Sequence, residues 1–309
     1  MHPKYHNRKN QIVAKLVAYS NEIDSLPGAA DAERRETLAK QFVESERKID
    51  RTKRLASRAS AVERTEPGSD FFDPELAAVW HRINGDIDEA SWLVFLSVHF
   101  GQHGEDGWLL CRQIYGGMGP NPFWTWKRAV SEVGQFGDWL SSLLRTRNSP
   151  MGRFGNHRKY ESLASGQSGL PLVLKSYVTW VSAAGGHGPL FQKTLAENHG
   201  PKAAFADLYR QMDAILRFGR LGKFDYLTMI SKLGIADIEA DATYLISATG
   251  PKRGAQLLFN DPSAAAASPQ ELEAKAQSLA NHLDLGMQAM EDALCNWQKS
   301  PTRFIAFRG

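Results

Sequence analysis

Residues 204–249, AFADLYRQMDAILRFGRLGKFDYLTMISKLGIADIEADATYLISAT, decide the fold. Phe205, Leu208, Met212 and Ile215 recur at three- and four-residue spacing, which is the pattern of one buried helix face. The run Arg217-Phe218-Gly219-Arg220-Leu221-Gly222-Lys223 interrupts that face. Gly219 and Gly222 permit backbone conformations closed to other residues, and Leu221 between them is expected to plug the turn into the core. A second amphipathic run from Phe224 to Leu233 ends at Gly234, a residue suited to the position just past a helix. The layout is helix, hairpin turn, helix. Such a turn presents backbone N–H groups at a helix N-terminus, where a phosphate can sit. Arg217, Arg220 and Lys223 add positive charge that has no sequence preference. The same residues equally make an ordinary corner in a helical core, and the turn alone does not choose.

Working outward, a chain of 309 residues has ample length for one large domain or two modest ones. Hydrophobic residues make up 42% and charged residues 23%, the composition of a globular protein, and the net charge of +3 means that any basic surface must be local. No run of eighteen apolar residues is present, so no membrane span is expected. The first residues, Met1-His2-Pro3-Lys4-Tyr5-His6, lack the apolar stretch of a secretory signal. Cys111 and Cys295 fit no metal spacing and read as reduced cysteines of a cytoplasmic protein. Long alternating strand patterns are missing, and the short run 170–174 suits strand or buried helix. The expected class is all-α.

Residues 1–66 hold fourteen Lys/Arg against ten Asp/Glu and suit a helical hairpin over roughly 10–26 and 32–58, broken at Pro27-Gly28. In the second of these, Leu38, Phe42, Ile49 and Leu55 form a thin apolar stripe. Glu66-Pro67-Gly68-Ser69-Asp70 reads as a linker and Asp73-Pro74 as a helix start. Trp80, Ile83, Ile87, Trp92, Phe95, Leu96 and Phe100 are expected in the core. Ser268-Pro269-Gln270-Glu271 starts a final helix running to about Trp297. The expected domains are a charged N-terminal hairpin (1–66), a core (73–260), and a C-terminal helix with a basic tail (268–309).

His103-x-Glu105 lacks the Pro-Cys-x-x-Cys partner of a zinc deaminase. His-Glu-x-x-His, phosphate-loop, dinucleotide and nucleophile-elbow motifs are missing too. Neither a metal nor a cofactor is expected. The stretch 145–161, RTRNSPMGRFGNHRKYE, is different. It carries Arg145, Arg147, Arg153, Arg158 and Lys159 with no acid before Glu161, and Phe154, His157 and Tyr160 lie among them. Charge interleaved with planar groups suits phosphate contact and base stacking, although a solvated loop has the same composition. A second glycine-bounded basic turn, 249–255, offers Lys252 and Arg253.

Asp241 lies eighteen residues after Lys223. With that spacing the hairpin resembles the helix-hairpin-helix DNA glycosylase superfamily, in which a catalytic aspartate follows the hairpin at about that distance and starts the next helix. The superfamily's turn usually reads Leu-Pro-Gly-hydrophobic-Gly, and here it is Arg-Phe-Gly-Arg-Leu-Gly. Three further segments, Phe154 to Glu161, Phe218 to Leu227 and Ala248 to Ala255, resemble the α-glutamyl/putrescinyl-thymine pyrophosphorylase family over roughly residues 75–260. That family is similar in fold to the glycosylases, and some of its relatives resemble antiphage glycosylases.

The resemblance implies double-stranded phage DNA with modified bases as the partner, and no obligate protein partner is evident. Its leading implication is a DNA N-glycosylase that flips out and excises a glucosylated hydroxymethyl-pyrimidine, leaving an abasic site as antiviral defence. The first alternative is a transferase that modifies an activated hydroxymethyl-pyrimidine with release of pyrophosphate. The second is a DNA-binding module without catalysis. Asp241 is the first catalytic candidate by spacing and Asp225 the second, with Lys223 a phosphate contact or an amine nucleophile. Arg217, Gly219, Arg220, Gly222, Arg153, Arg158, Lys159, Lys252 and Arg253 are the expected DNA contacts. Asn156, His157 and Tyr160 are the expected base pocket.

Overall fold

The computed structural model describes residues 3–58, 60–119, 122–146, 151–155 and 169–306. It is all-α. Among the described residues there is no strand, only a single bridge between His103 and Gly107. In chain order the α-helices are α1 (His6–Glu22), α2 (Ala32–Ala56), α3 (Pro74–Ile83), α4 (Ile87–Phe100), α5 (Leu109–Tyr115), α6 (Trp126–Ser131) and α7 (Val133–Thr146). They continue with α8 (Leu170–Ala183), α9 (His187–Glu197), α10 (Pro201–Gln211), α11 (Arg220–Lys232), α12 (Gly250–Phe259), α13 (Pro269–Leu283) and α14 (Met287–Trp297). The ambiguous run at 170–174 is therefore helix.

The chain forms two compact units, residues 1–52 with 240–308, and residues 53–239. In the first, the two ends of the chain fold together. Gly28, in the tight turn between α1 and α2, lies where an added Cβ would stand 1.9 Å from the Leu257 carbonyl oxygen, so only glycine lets that turn meet α12. Gly254 does the same for α12 against α14, with the Leu294 oxygen 2.2 Å from its ideal Cβ. The 250–254 segment is thus the first turn of a packed helix, and its glycines serve close helix contact. Ser268 caps α13 as its sequence predicts, accepting from the Glu271 N–H while Glu271 accepts from the Ser268 N–H. The expected single final helix is two. Asp284 takes a left-handed conformation at φ 53°, the Leu285 N–H reaches back to the Ala280 carbonyl, and Gly286 starts α14.

The second unit is built on α4, which is buried on nearly every side. Trp92, Phe95, Leu96 and Phe100 have no exposure, whereas Ile83 is 49% exposed and Trp80 and Ile87 are half-buried. The departure has a simple cause: Ile83 ends α3 beside the Asn84-Gly85 turn, where the chain faces water. Asp73 caps α3 as expected, accepting from the Glu75 and Leu76 N–H groups at 3.0 Å. Among the described residues no helix is long and apolar enough to cross a membrane.

Candidate functional site

The hairpin is present as α10, a short 3-10 turn (Met212–Ala214), residues 215–219 and α11. Phe205, Leu208, Met212 and Ile215 are buried as their spacing predicts. The turn is built differently from the expectation. Gly219 is extended at φ −73° and Gly222 is helical, so neither supplies a left-handed residue; Arg217 does, at φ 57°. Leu221 is 37% exposed, and Phe218 is the plug, 6% exposed with its ring 5.1 Å from that of Phe95. Gly222 is small because Phe218 needs the space: an added Cβ would stand 2.9 Å from that ring. Gly234 follows α11 at φ 67°, as read from the sequence.

The basic residues of the turn divide. Arg217 is exposed. Arg220 lies over the Phe224 ring at 4.8 Å. Lys223 is buried; its Nζ is 2.6 Å from Asp213 Oδ1 and 4.0 Å from the centre of the Tyr209 ring. Held there, its amine is directed at its own protein. The first turn of α11 carries no acidic residue and Gly219 supplies no side-chain cap, so no negative charge of the helix's own offsets the positive end of its dipole. Asp225 is half-buried on the same helix.

Of the basic 145–161 stretch, Arg145 ends α7 and residues 151–155 are described, whereas Asn156, His157, Arg158, Lys159 and Tyr160 lie outside the described residues. Arg153 is neutralised by acids from the polar insertion at 101–107. Its guanidinium donates to Asp106 at 2.7 and 2.9 Å and to Glu105 at 2.6 Å. Asp106 in turn is held well below the usual carboxylate range by Arg153. Gly155 donates to the Phe100 carbonyl, and its ideal Cβ would sit 2.8 Å from Gly101, so this strand of loop is laid directly on the end of α4.

Asp241 belongs to the other compact unit, in an irregular segment ahead of a 3-10 turn (Leu245–Ser247) and not at the start of an α-helix. It is half-buried. Burial raises its carboxyl above the ordinary value, only partly offset by the Tyr244 hydroxyl, which donates to it at 2.6 Å. The segment is organised by Glu273 of α13, whose carboxylate accepts from the Thr243 N–H and hydroxyl and from the Leu245 N–H at 2.6–2.8 Å. Lys252 is half-buried and Arg253 exposed on the first turn of α12.

The most organised polar constellation is one the sequence did not single out. Asp88, in the first turn of α4, accepts from the His187 backbone N–H at 2.6 Å and meets its ring Nδ1 at 2.8 Å, both at Oδ1. His187 Nε2 is 2.7 Å from the Tyr177 hydroxyl of α8, which is 2.9 Å from the Tyr226 hydroxyl of α11. Burial tends to raise the Asp88 carboxyl, but the bonds from His187 outweigh it and its pKa lies below the ordinary value. Burial pushes His187 down and Tyr177 and Tyr226 up, so all three are neutral. An ionised Asp88 requires the proton on Nδ1. Nε2 therefore accepts from Tyr177, whose oxygen accepts from Tyr226. The chain runs from a carboxylate with 39% of its side chain exposed to an imidazole with none. Trp126 and Phe95 wall it, with ring centres 4.4 Å from His187 and 3.6 Å from Tyr177. Beside it, Glu89 is buried and accepts from the Tyr115 hydroxyl at 2.8 Å and the Trp126 N–H at 2.7 Å. The available signals were weak: polar residues on otherwise apolar helices, and a histidine in the glycine loop 185–188.

A family model described as alpha-glutamyl/putrescinyl thymine pyrophosphorylase clade 3 matches residues 33–309. The match extends well beyond the expected 75–260, over most of α2 and through the C-terminal helices. No curated protein and no solved structure matches the chain. The finding overturns the expected hydrolytic N-glycosylase, because the matched family is one of pyrophosphorylases, whose chemistry is group transfer.

Proposed function

Because the chain belongs to the alpha-glutamyl/putrescinyl thymine pyrophosphorylase clade 3 family, we propose that it is a transferase acting on DNA, replacing the pyrophosphate of an activated hydroxymethyl-pyrimidine with an amine or an amino acid. The observation that carries this reading is the family match along 33–309. In the reaction the nitrogen of the donor bonds to the exocyclic methylene carbon. The carbon–oxygen bond breaks with its electron pair leaving on pyrophosphate, and the nitrogen then loses its surplus proton.

Inside a duplex the target carbon is reached only when the nucleotide is turned out of the stack, so the protein must grip the flanking phosphates. The feature that supports such a grip is the acid-free N-terminus of α11 beside exposed Arg217. The substrate we propose is phage DNA carrying pyrophosphorylated hydroxymethyl-pyrimidines.

The test incubates the protein with such DNA and a primary amine, digests the product to nucleosides, and measures base mass and released pyrophosphate. A base whose mass has changed by the amine minus the elements of pyrophosphoric acid, with stoichiometric pyrophosphate, is expected. An unchanged base mass overturns the proposal, as does the appearance of free base and abasic sites.

A further inference from the structure

We infer that Asp88 is the docking point for the ammonium or amine nitrogen of the donor, with His187 as the positioning residue that holds its carboxylate. The identity of the donor as an amine rests on the transferase reading; the site itself rests on the geometry around Asp88.

Three observations converge there. Both bonds from His187 fall on Oδ1, and among the described residues no hydrogen bond reaches Oδ2, while the side chain keeps 39% of its exposure. One oxygen is fixed by His187, and the other keeps its hydrogen-bonding capacity among the described residues. Glycine also makes room for this carboxylate. Gly185 and Gly186 have φ of 84° and 117°, and a Cβ on Gly186 would stand 3.0 Å from both carboxylate oxygens. Any other residue would crowd the carboxylate while adopting a disfavoured backbone. Behind Asp88, a fully buried imidazole and two buried tyrosine hydroxyls are threaded through a wall of aromatic rings. An apolar side chain would fill that volume without the desolvation cost of polar groups, so the network is retained for what it does to the carboxylate.

Its effect is to fix charge. Asp88 lies in the first turn of α4 and accepts the first N–H of α9, so two helix N-termini stabilise its ionised form. A fixed anion suits a nitrogen that becomes positive as its bond to carbon forms. The carboxylate first holds the nitrogen. A docked ammonium loses one proton to water to free its lone pair before the bond to carbon forms. The surplus proton left on the nitrogen afterwards also passes to water, with no other change in the protein. Tyr226 ties this point to the proposed DNA grip. It lies six residues after Arg220 on α11, about 9 Å along the helix.

The test uses full-length protein labelled with 15N-histidine, the His187 ring signals being identified by their loss in His187→Gln. Titration with 1,4-diaminobutane is compared with 1,4-butanediol and with potassium chloride at equal ionic strength. A saturable shift of His187 with the diamine alone is expected, and Asp88→Asn raises the half-saturating concentration roughly 10- to 100-fold, the loss of one charge-assisted bond. No shift, an equal shift with the diol or the salt, or full retention in a folded Asp88→Asn overturns the inference. The comparison of three additives on wild-type protein decides even if the variant does not fold. Because no DNA or pyrophosphate is present, a failure here is distinct from a failure to find transferred amine on DNA.

Discussion

Glu89 has 5% exposure, and burial holds its carboxyl up at about 7 despite the bonds from Tyr115 and Trp126. Its folded pKa thus exceeds its unfolded one, so the folded state binds the proton more tightly. The associated stability is present below about pH 4.5 and is lost as the pH rises through about 7. The loss is on the order of 3 kcal/mol at most. Buried His187, pushed down, acts with the opposite sign. The quantity to read is therefore the difference between variants: between pH 5 and 8, wild type should lose more thermal stability than Glu89→Gln. The hairpin cations give a second contrast. Arg217→Ala should lower the slope of log affinity for DNA against log salt by about 0.9, the release of one counterion. Lys223→Met should leave that slope unchanged, since the Lys223 amine is already paired with Asp213 and stacked on Tyr209. An equal drop for both would show that Lys223 leaves its pocket to meet DNA.

Helices are where the sequence was most legible, because their signals are local. Asp73-Pro74 and Ser268-Pro269-Gln270-Glu271 announced two helix starts by side chains that bond backbone groups two or three residues away. The four apolar residues of α10 and its following turn announced its buried face. Glycines misled, since a glycine says that something requires a missing Cβ without saying what. Gly219 has nothing within 4 Å of its ideal Cβ, whereas Gly254 faces a backbone carbonyl at 2.2 Å. Gly254→Ala should therefore cost roughly 1–3 kcal/mol or more by chemical denaturation, the range of overpacked helix contacts. Gly219→Ala should stay within about 0.5 kcal/mol of wild type.

Across the whole molecule, what was illegible is what depends on distant partners. Asp88, Tyr177, His187 and Tyr226 come from four helices, and no spacing rule connects them. Arg153 likewise looked like free charge until Asp106 and Glu105 came to meet it. The unit made of residues 1–52 and 240–308 joins segments far apart in the chain. His282 of α13 lies against the Lys15 carbonyl of α1, Lys275 pairs with Asp24, and Lys15 pairs with Asp284. Deleting residues 1–31 should consequently raise amide hydrogen exchange throughout α12 and α13, and unchanged protection there would contradict this pairing.

The same arrangement imposes an order of events during synthesis. The apolar residues Ile12, Leu16, Leu38 and Phe42 are made well before the rest of their unit, which is completed only when 240–308 has been translated. At ribosomal speeds that is a wait of roughly 10–50 s. Residues 53–239 have all their parts in hand well before then. For that interval segment 1–52 has its greasy stripe uncovered, and the many charges that share its helices are what it has to hold off association until its other half arrives.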